Sequence, residues 1–257
     1  MAPLSPLPPN TSPLIRTTPS WCPVIYHLST SPSNTKTTIK LPRGSQWTSG
    51  PHFHTQSTEY LRLIRGAIFV NLETSTKILS RSTENAEEEI VVEILPYMRH
   101  EWDLLPGEDY DAVVEEWTVP QSISKPLFFW NICGILHPTT ATTMKRVREL
   151  PARQKFVKRV IGDDNWMTLQ LFVVFWKLDN WPVLVDICAT PSELHLGQTA
   201  GVAVQHGIEY AWTVFVLMVA AIIGWMIGLE AVSEDRTPRD LWEAWKQHGV
   251  RLVEKKE

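Results

Sequence analysis

His52 and His54 stand one residue apart, and Glu59 follows after four more. They lie in the stretch Pro51-His52-Phe53-His54-Thr55-Gln56-Ser57-Thr58-Glu59-Tyr60-Leu61-Arg62-Leu63-Ile64-Arg65-Gly66. Two imidazoles and a carboxylate can supply three metal ligands if the backbone sets them on one interior wall. Strand alternation does so, because side chains at i and i+2 share a face: His52 and His54 point one way and Phe53 the other. Past a turn at Gln56-Ser57 the same period groups Glu59 with Leu61 and Leu63, and sends Tyr60, Arg62 and Ile64 to the opposite side. The leucines seek a core and carry Glu59 inward with them. A carboxylate placed there needs a metal or a cluster of donors.

The elements that must hold these residues are short strands, expected near 36–41, 52–55, 58–65, 67–73, 76–81, 88–95 and 111–118. They are punctuated at Pro42-Arg43-Gly44, Gly66, Glu84-Asn85 and Pro106-Gly107. Strands at this spacing indicate a sandwich or barrel, whose ligand sites lie in the mouth where inward side chains converge. Residues 1 to about 20, rich in Pro, Ser and Thr, bury little apolar surface and are expected to form a flexible tail, with Trp21 to Leu28 offering a first strand or a packing arm. After Pro120 the alternation stops. Leu127 to Ile132 and Trp166 to Trp176 are dense apolar runs, and the second is too short to cross a bilayer, which takes about 20 residues. Both read as buried or interfacial helix over the open end of the barrel.

Tyr210 to Leu229 carries no charge, is bracketed by Glu209 and Glu230, and has Trp212 and Trp225 near its ends. At about 1.5 Å per residue it matches the hydrocarbon thickness, so a transmembrane helix is expected, with a buried core helix as the competing reading. Gly224-x-x-x-Gly228 adds a small-residue stripe. Thr237-Pro238 opens a further helix whose Leu241, Trp242, Ala244 and Trp245 form an apolar face for a membrane surface or for the domain. The basic residues after the span, Arg236, Arg239 and Lys246, put the C-terminus in the cytosol by the positive-inside rule. The absence of a signal before the barrel conflicts with that, because it keeps the barrel in the cytosol, and a single-pass anchor with a cytosolic barrel is the expectation adopted.

The pattern His52-x-His54-x4-Glu59-x6-Gly66 resembles the first motif of the cupin superfamily. The second cupin motif, a proline-glycine turn leading to a histidine, is similar to Leu95-Pro96-Tyr97-Met98-Arg99-His100, with Tyr97 or Met98 where the family has glycine. The resemblance covers roughly residues 36 to 120. It implies a mainly-β fold, a single cupin jelly-roll β-barrel with additional C-terminal α-helices, and His52, His54, Glu59 and His100 as metal ligands. Together with the composition and hydropathy of the flanks, the expected organisation is a tail over 1–35, the barrel over 36–120, a helical extension over 121–205, and the membrane helix with an amphipathic tail over 206–257.

A looser similarity, through Trp117-Thr118-Val119-Pro120, Phe128-Phe129-x-Asn131 and the apolar C-terminal helices, is to small fungal cupin proteins encoded beside natural-product genes. It implies an oxidoreductase, dioxygenase-like, acting on a small hydrophobic or aromatic metabolite. The alternatives are an isomerase or cyclase, or a metal-free ligand-binding module tethered to a membrane.

Three imidazoles and one carboxylate suit Fe(II) first, with Mn, Ni, Cu or Zn as alternatives, and leave two positions open on an octahedral ion. Tyr97, Trp102 and Trp117 are candidates for an aromatic pocket, although core packing explains each as well. Glu101 and Asp103 are candidate bases. His137, His195, His206 and His248 have no partner spacing.

With 257 residues the chain can form one domain with additions, and a net charge of -4 offers no electrostatic case for nucleic acid. Acids crowd residues 84–116, while Lys145, Arg146, Arg148, Arg153, Lys155, Lys158 and Arg159 form a basic block. Solvated surface explains both, and an anionic membrane is the sharper reading of the second. Cys22, Cys133 and Cys188 are too few and too far apart for a disulfide framework and fit a reducing compartment. The expected partners are a small hydrophobic substrate, the membrane and a second copy in a homodimer.

Overall fold

The computed structural model describes residues 11–16, 22–73, 75–81, 89–105, 107, 110–137, 150–186 and 198–254. Lys145, Arg146, Arg148, Cys188, His195 and the turn at Glu84-Asn85 lie outside them. The strands are β1 (Thr11–Arg16), β2 (Val24–Ser29), β3 (Thr37–Leu41), β4 (His52–Phe53), β5 (Thr58–Leu72), β6 (Ser75–Arg81), β7 (Ile90–Ile94), β8 (His100–Leu104), β9 (Ala112–Val119) and β10 (Trp181–Pro182). The helices are α1 (Ser124–Leu136), α2 (Ala152–Lys177), α3 (Gln198–Ile227) and α4 (Arg239–Glu254).

One strand organises the rest. The N-terminal half of β5 pairs with β7 and β9, and its C-terminal half pairs with β6 and β8, so two antiparallel sheets share it. The two strands expected at 58–65 and 67–73 are therefore one. Gly66 does not end it: with φ at 85° it bends the strand, and a Cβ there would come within 2.6 Å of the Asp111 carbonyl oxygen. Only glycine allows both the left-handed backbone and that approach.

From β5 one sheet continues through β9, β3, β2 and β1, and the other through β8, β4 and β10. Leu28, Ile39, Leu61 and Leu63 of the first and Ile68, Val70 and Trp102 of the second meet in one core. The sheet thus begins at Thr11. β1 lies in the segment expected as a flexible tail, and β2 is the first strand that Trp21 to Leu28 offered, the alternation of Val24, Tyr26 and Leu28 giving it a buried face to place over the core. β8 was also absent from the expected strands, its apolar side chains being spaced by Glu101 and Asp103.

The helices cap the sheets. α1 is apolar nearly all round and packs against β2 and α2, which fits a helix buried on several sides. Its Asn131 accepts from the Ser233 amide and the Arg236 Nε, each at 3.0 Å, and so ties down the segment after α3. α2 is broken at Gly162, and its second half lies against α3, with Val173 at Gly224. The helix expected at 210–229 falls within α3, and Val204–Ile227 is long and apolar enough, by length and composition, to cross a membrane. In α4, Leu241, Trp242 and Trp245 pack on the core, so its apolar face is turned to the domain.

Candidate metal centre

Three chain segments meet at the cluster. β4 lies between β8 and β10, and its register sets His52 opposite His100. β5 supplies Glu59 from the inward row that also carries Leu61 and Leu63, as its alternation requires. His54 follows β4 directly. All four residues are buried, and their ligand atoms lie within 4.8 Å of one another.

The turn before His100 explains the departure from the cupin pattern. Tyr97 has φ at 66°, the left-handed conformation normally left to glycine, and the Met98 amide donates to the Leu95 carbonyl at 3.1 Å. Pro96 and Tyr97 thus occupy the two central positions of a type II-like turn, at some steric cost. The Tyr97 amide also donates to the His54 carbonyl at 2.7 Å, which joins the two motifs directly.

Each imidazole has its Nδ1 against a backbone carbonyl: His52 on Gly50 at 2.8 Å, His100 on Met98 at 3.0 Å, and His54 on Asp179. A carbonyl only accepts, so each Nδ1 carries the proton and each Nε2 of a neutral ring presents a lone pair. Those lone pairs converge on Oε2 of Glu59, from 2.6 Å (His54), 3.0 Å (His100) and 3.9 Å (His52). Acceptors facing acceptors in a dry interior need a cation between them, either a metal ion or a proton that turns a ring nitrogen into a donor. Neighbouring ligands about 2.1 Å from an octahedral ion stand about 3 Å apart, which the two shorter separations match. The residues present therefore fit a divalent metal.

The electrostatics are set by burial and by Lys125, a residue that the sequence reading did not single out. Burial drives the His52 pKa well down, and the nearby His100 and His54 add to the shift, so the ring is neutral and able to coordinate. Burial alone would raise the Glu59 carboxyl, but Lys125 holds it well below its ordinary value, and a proton on Nε2 of His54 or His100, donated to Oε2, adds to that. The Lys125 ammonium contacts Oε1 of Glu59 and lies 3.0 Å from Oε2 of Glu116. Burial would lower its pKa, but the two carboxylates raise it, so it stays charged. Burial pushes the Glu116 carboxyl up despite Lys125, and Trp102 Nε1 donates to its other oxygen at 2.7 Å.

Cavities among the described residues reach the cluster, and two of them share a wall. One of about 290 Å³ reaches His52 and is walled by Tyr26, Trp47, Phe128, Phe129 and Phe175. The other, about 170 Å³, reaches His54 among Ser57, Thr118, Ser124 and Asp179. Lys125, Phe128 and Asn180 line both. The aromatic residues expected at a pocket lie elsewhere. Trp102 is core, Trp117 stacks on Tyr60 at 5.4 Å, and Tyr97 is exposed beside Tyr210. Glu101 and Asp103 alternate with His100 and Trp102 along β8 and so face away from the cluster, which removes them as bases. Glu116 and Lys125 stand there instead. Lys125 precedes the apolar run of α1, and a lone lysine before such a run gives no sign of pointing inward.

Asp179 is the other residue without a sequence signal. Its carboxylate accepts from the Thr55 and Gln56 amides at 2.8 and 2.9 Å, and from Thr55 Oγ1 and Trp181 Nε1 at 2.7 and 2.9 Å, while its carbonyl holds His54. The end of α2 is thereby fastened to the loop that carries His54. Of the histidines without partner spacing, His137 ends α1 and His206 lies on α3, away from the cluster.

No protein-family model and no curated protein matches the chain. Among solved structures it is similar to the capsular polysaccharide assembling protein CapF from Staphylococcus aureus, at 17% identity over 42% of this chain and 30% of CapF, with a TM-score of 0.31. It is also similar to KdgF from Halomonas sp., at 17% identity over 37% of this chain and 79% of that one, with a TM-score of 0.29. A cupin-like protein from Thermotoga maritima matches at 19% identity over 37% of this chain and 67% of that one, with a TM-score of 0.29. The chain spans less than a third of the length of CapF. With two sheets sharing β5 and the cluster His52, His54, Glu59 and His100 buried between them, the β half of this chain is a half-barrel of antiparallel strands, consistent with the cupin-like β fold that the two motifs lead one to expect.

Proposed function

We propose that the chain is a metal-dependent cupin-type enzyme, an oxidoreductase of the dioxygenase kind that acts on a small hydrophobic or aromatic metabolite in secondary metabolism. The observation that carries this reading is the convergence of three imidazole Nε2 atoms and Glu59 beside an aromatic-walled cavity. His52, His54, Glu59 and His100 would hold the ion, with Fe(II) first among the candidates. A bound Fe(II) would supply open positions at which substrate and dioxygen can meet.

The chain's own residues do the rest. Tyr26, Trp47, Phe128 and Phe129 offer an apolar substrate a dry wall, and the rings discriminate by shape. Lys125 engages Oε1 of Glu59, leaving Oε2 to face the imidazoles, and keeps a fixed positive charge at the cavity edge, where an anionic or enolic oxygen of the substrate can be met. An apolar substrate partitions into a bilayer, and the exposed apolar surface of α3 would bring the enzyme to that source.

A second reading, an isomerase or cyclase, is favoured by Glu116 in the cavity wall, because its burial-raised carboxyl can exchange a proton with a bound substrate while Lys125 supplies the fixed positive charge beside it. Anaerobically purified protein, loaded with Fe(II) and supplied with hydrophobic aromatic compounds, separates the two. Dioxygen uptake coupled to product supports the oxidoreductase, and turnover under argon supports the isomerase. Failure to bind any transition metal stoichiometrically, with His52→Ala and Glu59→Ala leaving activity intact, would end both.

A further inference from the structure

α3 has two apolar faces. Glu209, Thr213, Leu217, Ala220 and Gly224, at spacings of three and four, are buried against the domain. Glu209 pairs with Arg99 at 3.3 Å, Thr213 Oγ1 donates to the Pro182 carbonyl at 3.1 Å, and Gly224 lets Val173 approach closely. The helix is thus held along about four turns. On the opposite side Ile208, Trp212, Phe215, Val219, Ile222 and Met226 follow the same spacing and are exposed, with Trp225 81% exposed beside them. A continuous apolar stripe of this extent on a folded surface marks an interaction face.

The segment next to this face carries the charge that selects the partner. Gln154 Nε2 donates to the Gly228 carbonyl at 2.9 Å, which puts the first turns of α2 at the C-terminal end of α3. There Phe156 and Val160, one turn apart, are 68% and 67% exposed, and the exposed Arg153, Lys155 and Arg159 flank them. Apolar side chains ringed by basic ones complement a hydrocarbon layer lying under a layer of negative headgroups.

We infer that the outward stripe of α3 and the first turns of α2 dock this domain in the plane of an anionic bilayer, with α3 lying along the membrane surface and remaining packed on α2 and β10. This deepens the membrane association in the reading above and does not depend on its metal chemistry. Crossing the bilayer would instead require α3 to give up the Arg99 pair, the Pro182 bond and the Val173 contact.

The experiment uses the full-length chain. Membranes of producing cells are washed with alkaline carbonate, and purified protein is sedimented with phosphatidylcholine vesicles with or without phosphatidylserine. Carbonate should release the protein, and phosphatidylserine should raise vesicle binding by about tenfold or more, in line with the contribution of each basic residue at an anionic surface. The variant with Arg153→Ala, Lys155→Ala and Arg159→Ala should lose that preference. Phe215→Asp with Ile222→Asp should lose binding to both vesicles at an unchanged melting temperature, because both positions are exposed. The inference is overturned by retention in the carbonate pellet, which marks a spanning helix. Equal binding to neutral vesicles, undiminished binding by the aspartate variant, or self-association without vesicle binding would each overturn it too.

Discussion

The Lys125 ammonium lies against Oε1 of Glu59, the oxygen on the other side of the carboxylate from His54 and His100. One carboxylate thus gives Oε1 to a fixed cation and leaves Oε2 facing the imidazoles. In metal-free protein Lys125 is the main counter-charge for Glu59 and Glu116 together. Lys125→Met should therefore cost about 3 to 5 kcal/mol of folding stability, the usual consequence of stranding a buried charge. Denaturant titration measures it. Adding Zn(II) or Fe(II) should recover part of the loss in Lys125→Met and less in Lys125→Met combined with Glu59→Gln.

Asp179 acts on His54 from outside the cluster. Asp179→Ala removes the carboxylate that gathers Thr55, Gln56 and Trp181, so the loop loses the restraint that aims the His54 ring. Metal affinity, read by calorimetric titration, should fall about 10- to 100-fold, as is common when a group that orients a ligand is lost. Asp179→Asn, which keeps one acceptor oxygen, should fall less.

The acid response of metal-free protein follows from the direction of the His52 shift. Its folded pKa is lowered, so between that value and the unfolded value of about 6.5 the unfolded chain binds the extra proton, and stability rises with pH across this window. The contribution is complete above about pH 6.5 and is lost as the pH falls below it. Glu59, also lowered, adds a slope of the same sign below about pH 4.5, whereas the raised Glu116 opposes it just above that pH. Chelator-treated protein should melt at steadily lower temperature from pH 7 to pH 5. His52→Gln should flatten that slope, and saturating metal should shift the loss to lower pH.

The left-handed Tyr97 predicts a ranking that ordinary conservatism reverses. Tyr97→Gly relieves the backbone and gives up a ring contact with Tyr210, so it should lie within about 1 kcal/mol of the parent. Tyr97→Val puts a β-branched side chain in the same conformation and should be less stable than the glycine variant by about 1 to 2 kcal/mol. Thermal melts of the two variants check it.

What the sequence determined was local. Period two along His52, His54, Glu59, Leu61 and Leu63 sufficed to turn those side chains inward, because a strand leaves each residue only two directions. The resemblance of Leu95 to His100 to the second cupin motif brought His100 into the set. The long uncharged run at the C-terminus was equally plain. Only the tertiary structure decided what surrounds the site. Lys125 and Asp179 lie 66 and 125 residues from the partners they hold, Glu59 and His54, and no periodicity links them. The same holds for the strand that Gly66 bends rather than ends and for the two opposite faces of α3. Each depends on which surfaces meet when the sheets close and the helices cap them, and a pattern that encodes direction along one element says nothing about the identity of its neighbour.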